Sequence, residues 1–300
     1  MTYGEGLHFL FNRGCAETIR QRQYCTTFNN KTIMKKKYFW SLLTFMMVAM
    51  LSIGFVSCGS DDDNSNEPVS AVTSAKVGDI YYSDGTCSSS LSSGKTPIGI
   101  VVYVGTDAVS ENMHGLVMAL NDAGKEEWYY NNESISNSEI PIVSTMEGLI
   151  ADMGGLEKTS KLNAHKFKAA TCIENYATSA PSGTSGWFLP SAGQWIAVLN
   201  GYGAGITKDT PFKKFSGGSQ VLESINKALS KVGEEGIDYT EIGHKYGTGQ
   251  DNYYWTSSKS NGGRNSYSPV DIVFSAQNGV YVGNSGSYMS SLFIRPFLAF

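Results

Sequence analysis

The chain has 300 residues, 41% hydrophobic and 17% charged, with 23 Lys and Arg against 27 Asp and Glu for a net charge of −4. From Cys58 onward the balance is more acidic, 16 basic against 25 acidic residues, a net charge of −9. A surface of that sign is repelled by phosphate backbones and no basic stripe offsets it, so nucleic acid is excluded as a partner.

Lys35, Lys36 and Lys37 precede an apolar run from Tyr38 to Val56 that ends in "FVSCGS". A positive n-region, an apolar h-region and small residues at a cleavage point make residues 34–57 a secretory signal. The run is nearly long enough to span a bilayer, so a retained anchor helix is the alternative. Phe55, Val56 and Ser57 before Cys58 resemble the lipobox of bacterial lipoproteins. That resemblance implies acylation of the Cys58 sulfur and attachment to the outer membrane. Met34, directly before the lysines, reads as the natural start, and residues 1–33, which lack periodicity, as a gene-start artefact. The stretch "CGSDDDNSNEPVS" and its continuation, residues 58–73, is too polar to order itself and reads as a flexible tether. Its run Asp61, Asp62, Asp63 resembles the export signal that places Bacteroides-type lipoproteins on the cell surface. A solvated linker on the periplasmic face is the alternative.

Residues 74–300 suit one large domain. Of five cysteines, Cys15 and Cys25 lie in the doubtful extension and Cys58 takes the lipid. Cys87 and Cys172 remain, to form one disulfide or stay as two buried thiols. No CxxC or paired histidine accompanies them, so no metal or other cofactor is expected.

In chain order, "VGDIYYSDGT" predicts a strand over 79–82 ending in the Asp84-Gly85 turn. "TPIGIVVYVG" predicts a buried strand and "HGLVMAL" another over 114–120. His114 reads as structural or exposed. "STMEGLIADMGG" has Met146, Leu149, Ile150 and Met153 at helical spacing, with Gly154-Gly155 as a stop. "KLNAHKFKAATCIENYA" predicts one helix bearing Leu162, Phe167, Ala170, Ile173 and Tyr176, with His165 solvated on its polar side. "FLPSAGQWIAVLNGYGAG" carries a capping box, Ser191 with Gln194, and an apolar face of Trp195, Val198 and Leu199. "SQVLESINKALSKVG" predicts a further helix that Gly233 ends. The tail is β: "YYWTSS", "VDIVFSA", "VYVG" and "LFIRPFLAF", with Asn278-Gly279 as a hairpin signal. The pattern predicts an α+β domain, a mixed or antiparallel sheet gathering both chain ends with helices from the middle.

"WFLPSAGQW" (187–195), "YWTSS" (254–258) and "IRPFLAF" (294–300) occur in this order. Together they resemble C-type lectin-like domains related to the formylglycine-generating-enzyme fold, common among Bacteroides-type lipoproteins. "GDIYYSDGT", "GKTPIGIVVYVG" and "HGLVMAL" resemble the front of those domains. The resemblance implies a C-type lectin-like fold. Trp187, Leu189, Trp195 and Trp255 are expected to fill one core. Arg295 before Pro296 is expected to make a buried pair with a carboxylate or backbone carbonyls. The enzymes of that group use a reactive cysteine pair near the C-terminus, and here no cysteine follows Cys172. Calcium-dependent lectins use Glu-Pro-Asn or Gln-Pro-Asp loops, which this domain lacks.

Catalysis finds little support. His114, His165 and His244 have no Ser/His/Asp or HExxH context, Asp251 and Asp271 lack a partner set, and "GYGAGI" and "GTGQDN" are not phosphate loops. A binding role fits better. "EEGIDYTEIGHKYGTGQDNYYW" and "SSKSNGGRNSYSPV" are long segments rich in Tyr, Ser, Gly and Asn, the residues binding loops favour. The candidate ligand contacts are Asn252, Tyr253, Tyr254, Asn261, Arg264, Asn265, Tyr267 and Tyr288, the last with Met289 in "GNSGSYMSS". The expected partner is an extracellular glycan or a host or bacterial surface protein. Two alternatives follow from the resemblance. Some relatives are fimbrial tip adhesins presented on a filament. Others carry a tail diversified by retroelements, which the Asn252–Ser291 composition fits.

Overall fold

The computed structural model describes residues 74–107, 113–129, 135–136, 138–233, 252–261, 267–284 and 290–300. The segments expected to be a signal (34–57) and a tether (58–73), with Cys58, lie outside these. The described residues fall in the unit Asn66–Phe300 and form an α+β structure with two sheets where the sequence pattern predicts one. The first contains β1 (Ile80–Tyr82), β2 (Cys87–Ser88), β3 (Pro97–Val104), β4 (Gly115–Ala119), β7 (Trp187–Phe188) and β13 (Phe297–Ala299). Its order is β2-β1-β3-β4-β13-β7, antiparallel throughout. Here both ends of the domain do meet, since β13 pairs with β4.

The second sheet contains β5 (Gly124–Glu126), β6 (Ile142–Val143), β8 (Ser216–Gly217), β9 (Asn252–Ser260), β10 (Ser268–Ser275), β11 (Gly279–Asn284) and β12 (Leu292–Ile294). Its order is β5-β12-β9-β10-β11-β8, and β6 pairs with β9 beyond the end of β12. The two sheets part company inside "LFIRPFLAF". Pro296 has no N–H to continue a ladder, so the chain leaves the second sheet at Ile294 and enters the first at Phe297. The Asn278-Gly279 hairpin forms between β10 and β11, with Gly279 at φ 94.

Among the described residues five helices cover the sheets: α1 (Met146–Ile150), α2 (Gly155–Ala164), α3 (Lys168–Glu174), α4 (Ala192–Gly201) and α5 (Ser219–Leu229). The capping box of α4 is present: the Gln194 N–H donates to Ser191 Oγ, and Gln194 Oε1 accepts from the Ser191 N–H. The helix α5 buries Val221, Leu222, Ile225, Ala228 and Leu229, passes into a 3-10 turn over Ser230–Val232 and ends at Gly233, φ 79. The single helix predicted around His165 is two. At the end of α2 the Lys166 N–H bonds to Asn163 O and the Phe167 N–H to Leu162 O, with Lys166 at φ 57. This pair of bonds is a Schellman motif, and it terminates a helix even without glycine. Leu162 and Phe167 are both fully buried, so apolar burial fixes the break.

The framework residues divide between clusters and do not share one core. Trp195 of α4 lies between the sheets, its ring centroid 4.7 Å from Phe297 of the first and 5.9 and 5.7 Å from Tyr254 and Phe274 of the second. Leu189 and Trp255 belong to another cluster with Trp128, Phe167 and Tyr267, and half-buried Trp187 packs at its margin. The outer face of β9 is what separates them: Tyr254 points toward Trp195, so the next residue, Trp255, points the other way. Indole N–H groups that enter this second cluster are bonded, Trp128 Nε1 to Thr256 O at 2.7 Å and Trp255 Nε1 to Glu126 O at 2.9 Å.

Candidate ligand-binding end of the second sheet

The register Ser260↔Ser268 and Val270↔Asn284 brings the end of β9, the start of β10 and the end of β11 together. Asn252 pairs with Phe274 at the opposite end. The strand β9 has nine residues, which separates Asn252 from Ser260 by about 26 Å. Asn252 and Tyr253 therefore cannot share a patch with Asn261.

Burial removes several sequence candidates. Tyr254 is inaccessible, its ring held among Trp195, Phe274 and Phe293. Tyr267 and Asn252 are each only 5% exposed. Their side chains serve the fold: alternation along β9 directs Tyr254 into the core, which composition alone does not show. Tyr253 is half-buried beside the Trp255 cluster. Arg264, Asn265 and Tyr288 lie outside the described residues, as do His244 and most of the two long loop segments.

Asn261 is exposed at the joined end. Its Nδ2 donates to Ser144 Oγ at 2.6 Å, and its carbonyl oxygen accepts from Asn284 Nδ2 at 3.2 Å. Ser144 arrives through β6, whose Val143 pairs with Ser260. Three elements thus place Ser144, Asn261 and Asn284 side by side. Asn261 was legible as a candidate. Ser144 and Asn284 were not, because only the parallel β6–β9 pairing and the β10–β11 register bring them there.

Beneath this end sits a charged layer that sequence reasoning missed. Lys259 is fully buried, donating to Ile135 O at 2.9 Å and Ser136 O at 3.2 Å, with its Nζ 4.3 Å above the Tyr267 ring. Burial lowers its pKa to about 8, against the pull of Glu139 and with that of Lys158. The Tyr267 hydroxyl accepts from the Ile135 N–H at 3.3 Å. Asp152 pairs with Lys158 and accepts from Ser258 Oγ at 2.7 Å, while Ser258 Oγ accepts from the Ala192 N–H at the start of α4. His165, expected to be merely solvated, lies 2.6 Å from Glu139 Oε1. Hydrogen bonds from Ser136 and His165 hold the Glu139 carboxyl down at about 2. His114 is exposed at the start of β4.

These contacts tie strands and helix ends together. Ser258 gives its proton to a carboxylate already paired with lysine, which is not the geometry of an activated nucleophile. Among the described residues no group of three or more His, Cys, Asp or Glu is placed to hold a metal ion. Cys87 and Cys172 are free thiols, so the disulfide left open by the sequence does not form. They pack against different clusters, Cys87 beside Tyr81 and Phe300 and Cys172 beside Phe167 and Ile173. Burial raises both thiols, Cys172 to about 11.

No protein-family model and no curated protein matches the chain. Among solved structures it is similar to a fimbrial protein from Bacteroides ovatus, at 19% identity with a TM-score of 0.48. The match covers 75% of this chain and spans about half, 49%, of that one. Among the described residues no helix is long and apolar enough to cross a membrane.

Proposed function

We propose that this chain is an extracellular binding protein without catalytic activity, anchored at the bacterial outer membrane by lipid on Cys58. Its C-type lectin-like domain takes a glycan or a surface protein at the polar end of the second sheet. The observation that supports this reading is the convergence of Ser144, Asn261 and Asn284 from three strands on one exposed end. Loops on a rigid scaffold are where recognition concentrates, and this end rests on a sheet fixed from behind by Trp195. Amide side chains suit hydroxyl-rich ligands, because each offers both donors and an acceptor. The sequence before Cys58 supports export and lipidation, and the acidic Asp61–Asp63 run supports the cell surface over the periplasmic face.

A glycan and surface-protein array probed with the purified protein tests the reading, with Asn261→Ala/Asn284→Ala alongside. Ligands bound by the wild type and lost by the double variant are the expected result. Retained binding in the double variant refutes the assigned end. Radiolabelled palmitate incorporated into the wild type and absent from Cys58→Ala would support the anchor, and no incorporation would refute it.

A further inference from the structure

The outer edge of the second sheet carries a feature that neither composition nor the Asn261 end accounts for. The segment "TPFKKFSGG", residues 210–218, runs beside β11. The Lys213 N–H donates to Val282 O at 3.0 Å, and β8 pairs Ser216 with Val280 and Gly217 with Gly279. Phe215 stacks edge-on against Tyr281, with ring centroids 4.8 Å apart at 78°, and both rings are half-exposed. Lys213 and Lys214 directly precede Phe215, both exposed, and neither makes an ion pair among the described residues. Nearby Lys208 is paired with Asp209 at 3.2 Å. Two unmatched cations therefore stand beside an aromatic platform on a chain that is acidic from Cys58 onward.

Lys213 adds a second observation. It sits at φ 62, one of two left-handed residues other than glycine among those described. The Lys214 N–H bonds to Pro211 O, closing a tight turn whose third residue is Lys213. Glycine or asparagine adopts that position without strain, and a long side chain there costs stability. Phe212, in the same turn, packs against the main core and anchors it. The turn thus holds a strained lysine in place at the margin of the Phe215–Tyr281 pair.

We propose that this edge binds an anionic saccharide, one bearing carboxylate or sulfate groups. The C–H face of a pyranose stacks on an aromatic face, whose electron density is negative. Adjacent ammonium groups act as point charges for carboxylate or sulfate oxygens. Neutral sugars would use only the rings, and acidic peptides only the lysines. An anionic saccharide uses both. The edge shares β11 with Asn284, which lies two residues beyond the Val282 carbonyl that Lys213 bonds, and its role does not depend on the Asn261–Asn284 end binding anything.

The test is binding of the purified full-length protein to immobilised polygalacturonate, heparin and neutral dextran at low salt. Lys213→Gly/Lys214→Ala, Lys213→Arg/Lys214→Arg, Phe215→Ala and Asn261→Ala/Asn284→Ala are run beside the wild type. Lys213→Gly suits the turn better than the native residue, so loss of binding there cannot be ascribed to unfolding. The expected result is binding to polygalacturonate, heparin or both, with none to dextran. Removing both lysines should weaken it by at least about fivefold, while the arginine pair retains it. Phe215→Ala should also weaken it, with a thermal melt as control. A variant that melts early is replaced by Phe215→Leu, which keeps the apolar contact and loses the ring. Binding should fall as salt rises past about 0.5 M. No binding to either polymer, equal binding to dextran, or binding unchanged in the lysine variant overturns the proposal. So does poly-L-glutamate binding as tightly as the saccharides, which would make the edge an acidic-peptide surface. Loss in Asn261→Ala/Asn284→Ala with none in the lysine variant would place the ligand at the other end and also overturn it.

Discussion

Arg295 Nε lies 2.7 Å from Asp122 Oδ1, with the guanidinium fully buried between the two sheets. Its NH1 donates to Ala119 O at 3.0 Å and to Leu120 O at 2.6 Å, and its carbon sits 6.0 Å from the Tyr254 ring centroid. At that distance the two groups form a buried charge pair. Burial works against the arginine charge, and Asp122 together with Tyr254 and Tyr176 more than offsets it, holding the guanidinium pKa above its ordinary value. Burial pushes the Asp122 carboxyl up while Arg295 pulls it down. The pair sits where the chain passes from β12 to β13, and it joins that crossing to the end of β4.

Breaking this pair from one side leaves a buried charge alone. Asp122→Ala is expected to destabilise by about 3–5 kcal/mol in urea unfolding, with Arg295→Met alone similar in sign. The double variant Asp122→Leu/Arg295→Met should recover much of the loss, since apolar replacement of both partners removes the desolvation penalty. A double variant no better than the singles would mean that the carbonyl bonds to Ala119 and Leu120 matter more than the charge.

Lys166 at φ 57 occupies the position after α2 where glycine is the usual residue. Lys166→Gly relieves that strain, partly offset by added freedom in the unfolded chain, and should stabilise by about 0.5–1 kcal/mol. Differential scanning calorimetry would register this as a raised Tm. A lowered Tm would show that the lysine side chain contributes more than its backbone costs.

Two glycines of α4 should respond to alanine with opposite signs. A Cβ at Gly201 meets nothing within 4 Å, so Gly201→Ala gains helix propensity, about 0.5–1 kcal/mol. A Cβ at Gly193 would stand 2.4 Å from Asp152 O, closer than contact allows. The Gly193 N–H bonds to that same oxygen at 3.1 Å, so the helix cannot back away without losing it. Gly193→Ala is expected to cost about 2 kcal/mol or more, as overpacking does. Equal effects in chemical denaturation would contradict the packing of α4 on the end of α1.

Lys259 carries a pH signature. Its pKa falls from 10.5 to about 8 on folding because it is buried. The unfolded chain therefore binds more protons between those values, and stability from this group rises with pH across pH 8 to 10.5. Below about 8 the penalty is present in full, and it is relieved as the folded-state lysine loses its proton. Lys259→Met should abolish this slope, on the order of 1–2 kcal/mol after screening. Subtracting the two urea stability curves isolates it from Cys172 and Tyr81, whose raised pKa values of about 11 and 12 lower stability as pH rises past 9 and 10 respectively. A flat difference curve would contradict the burial of the Lys259 ammonium.

Much of the fold was legible because its signals are local. The Ser191–Gln194 capping box, the apolar face of α5 and the Asn278-Gly279 turn each depend on a few neighbouring residues. The helix break at Lys166 was missed for the opposite reason. Apolar spacing runs on through Phe167, and only the burial of Phe167 against Leu162 and Trp128 chooses a turn over continued helix. The candidate site divided likewise. Asn261 was found from composition, but composition also selected Tyr254 and Tyr267, which are buried. The lysines of "PFKKF" were passed over because they are too few to change the charge balance, and Tyr281 joins Phe215 only through strand pairing.

By itself the sequence determined the order and type of most elements, since each is carried by residues close along the chain. Tertiary structure decided that there are two sheets, that Arg295 meets Asp122, and that Asn261, Asn284 and Ser144 share one end. These depend on register, and a one-residue slip in a strand reverses which side chains face the core. That choice is made by the burial of Trp195, Tyr254, Phe274 and Phe297 together, which lie far apart in the chain and meet only between the sheets.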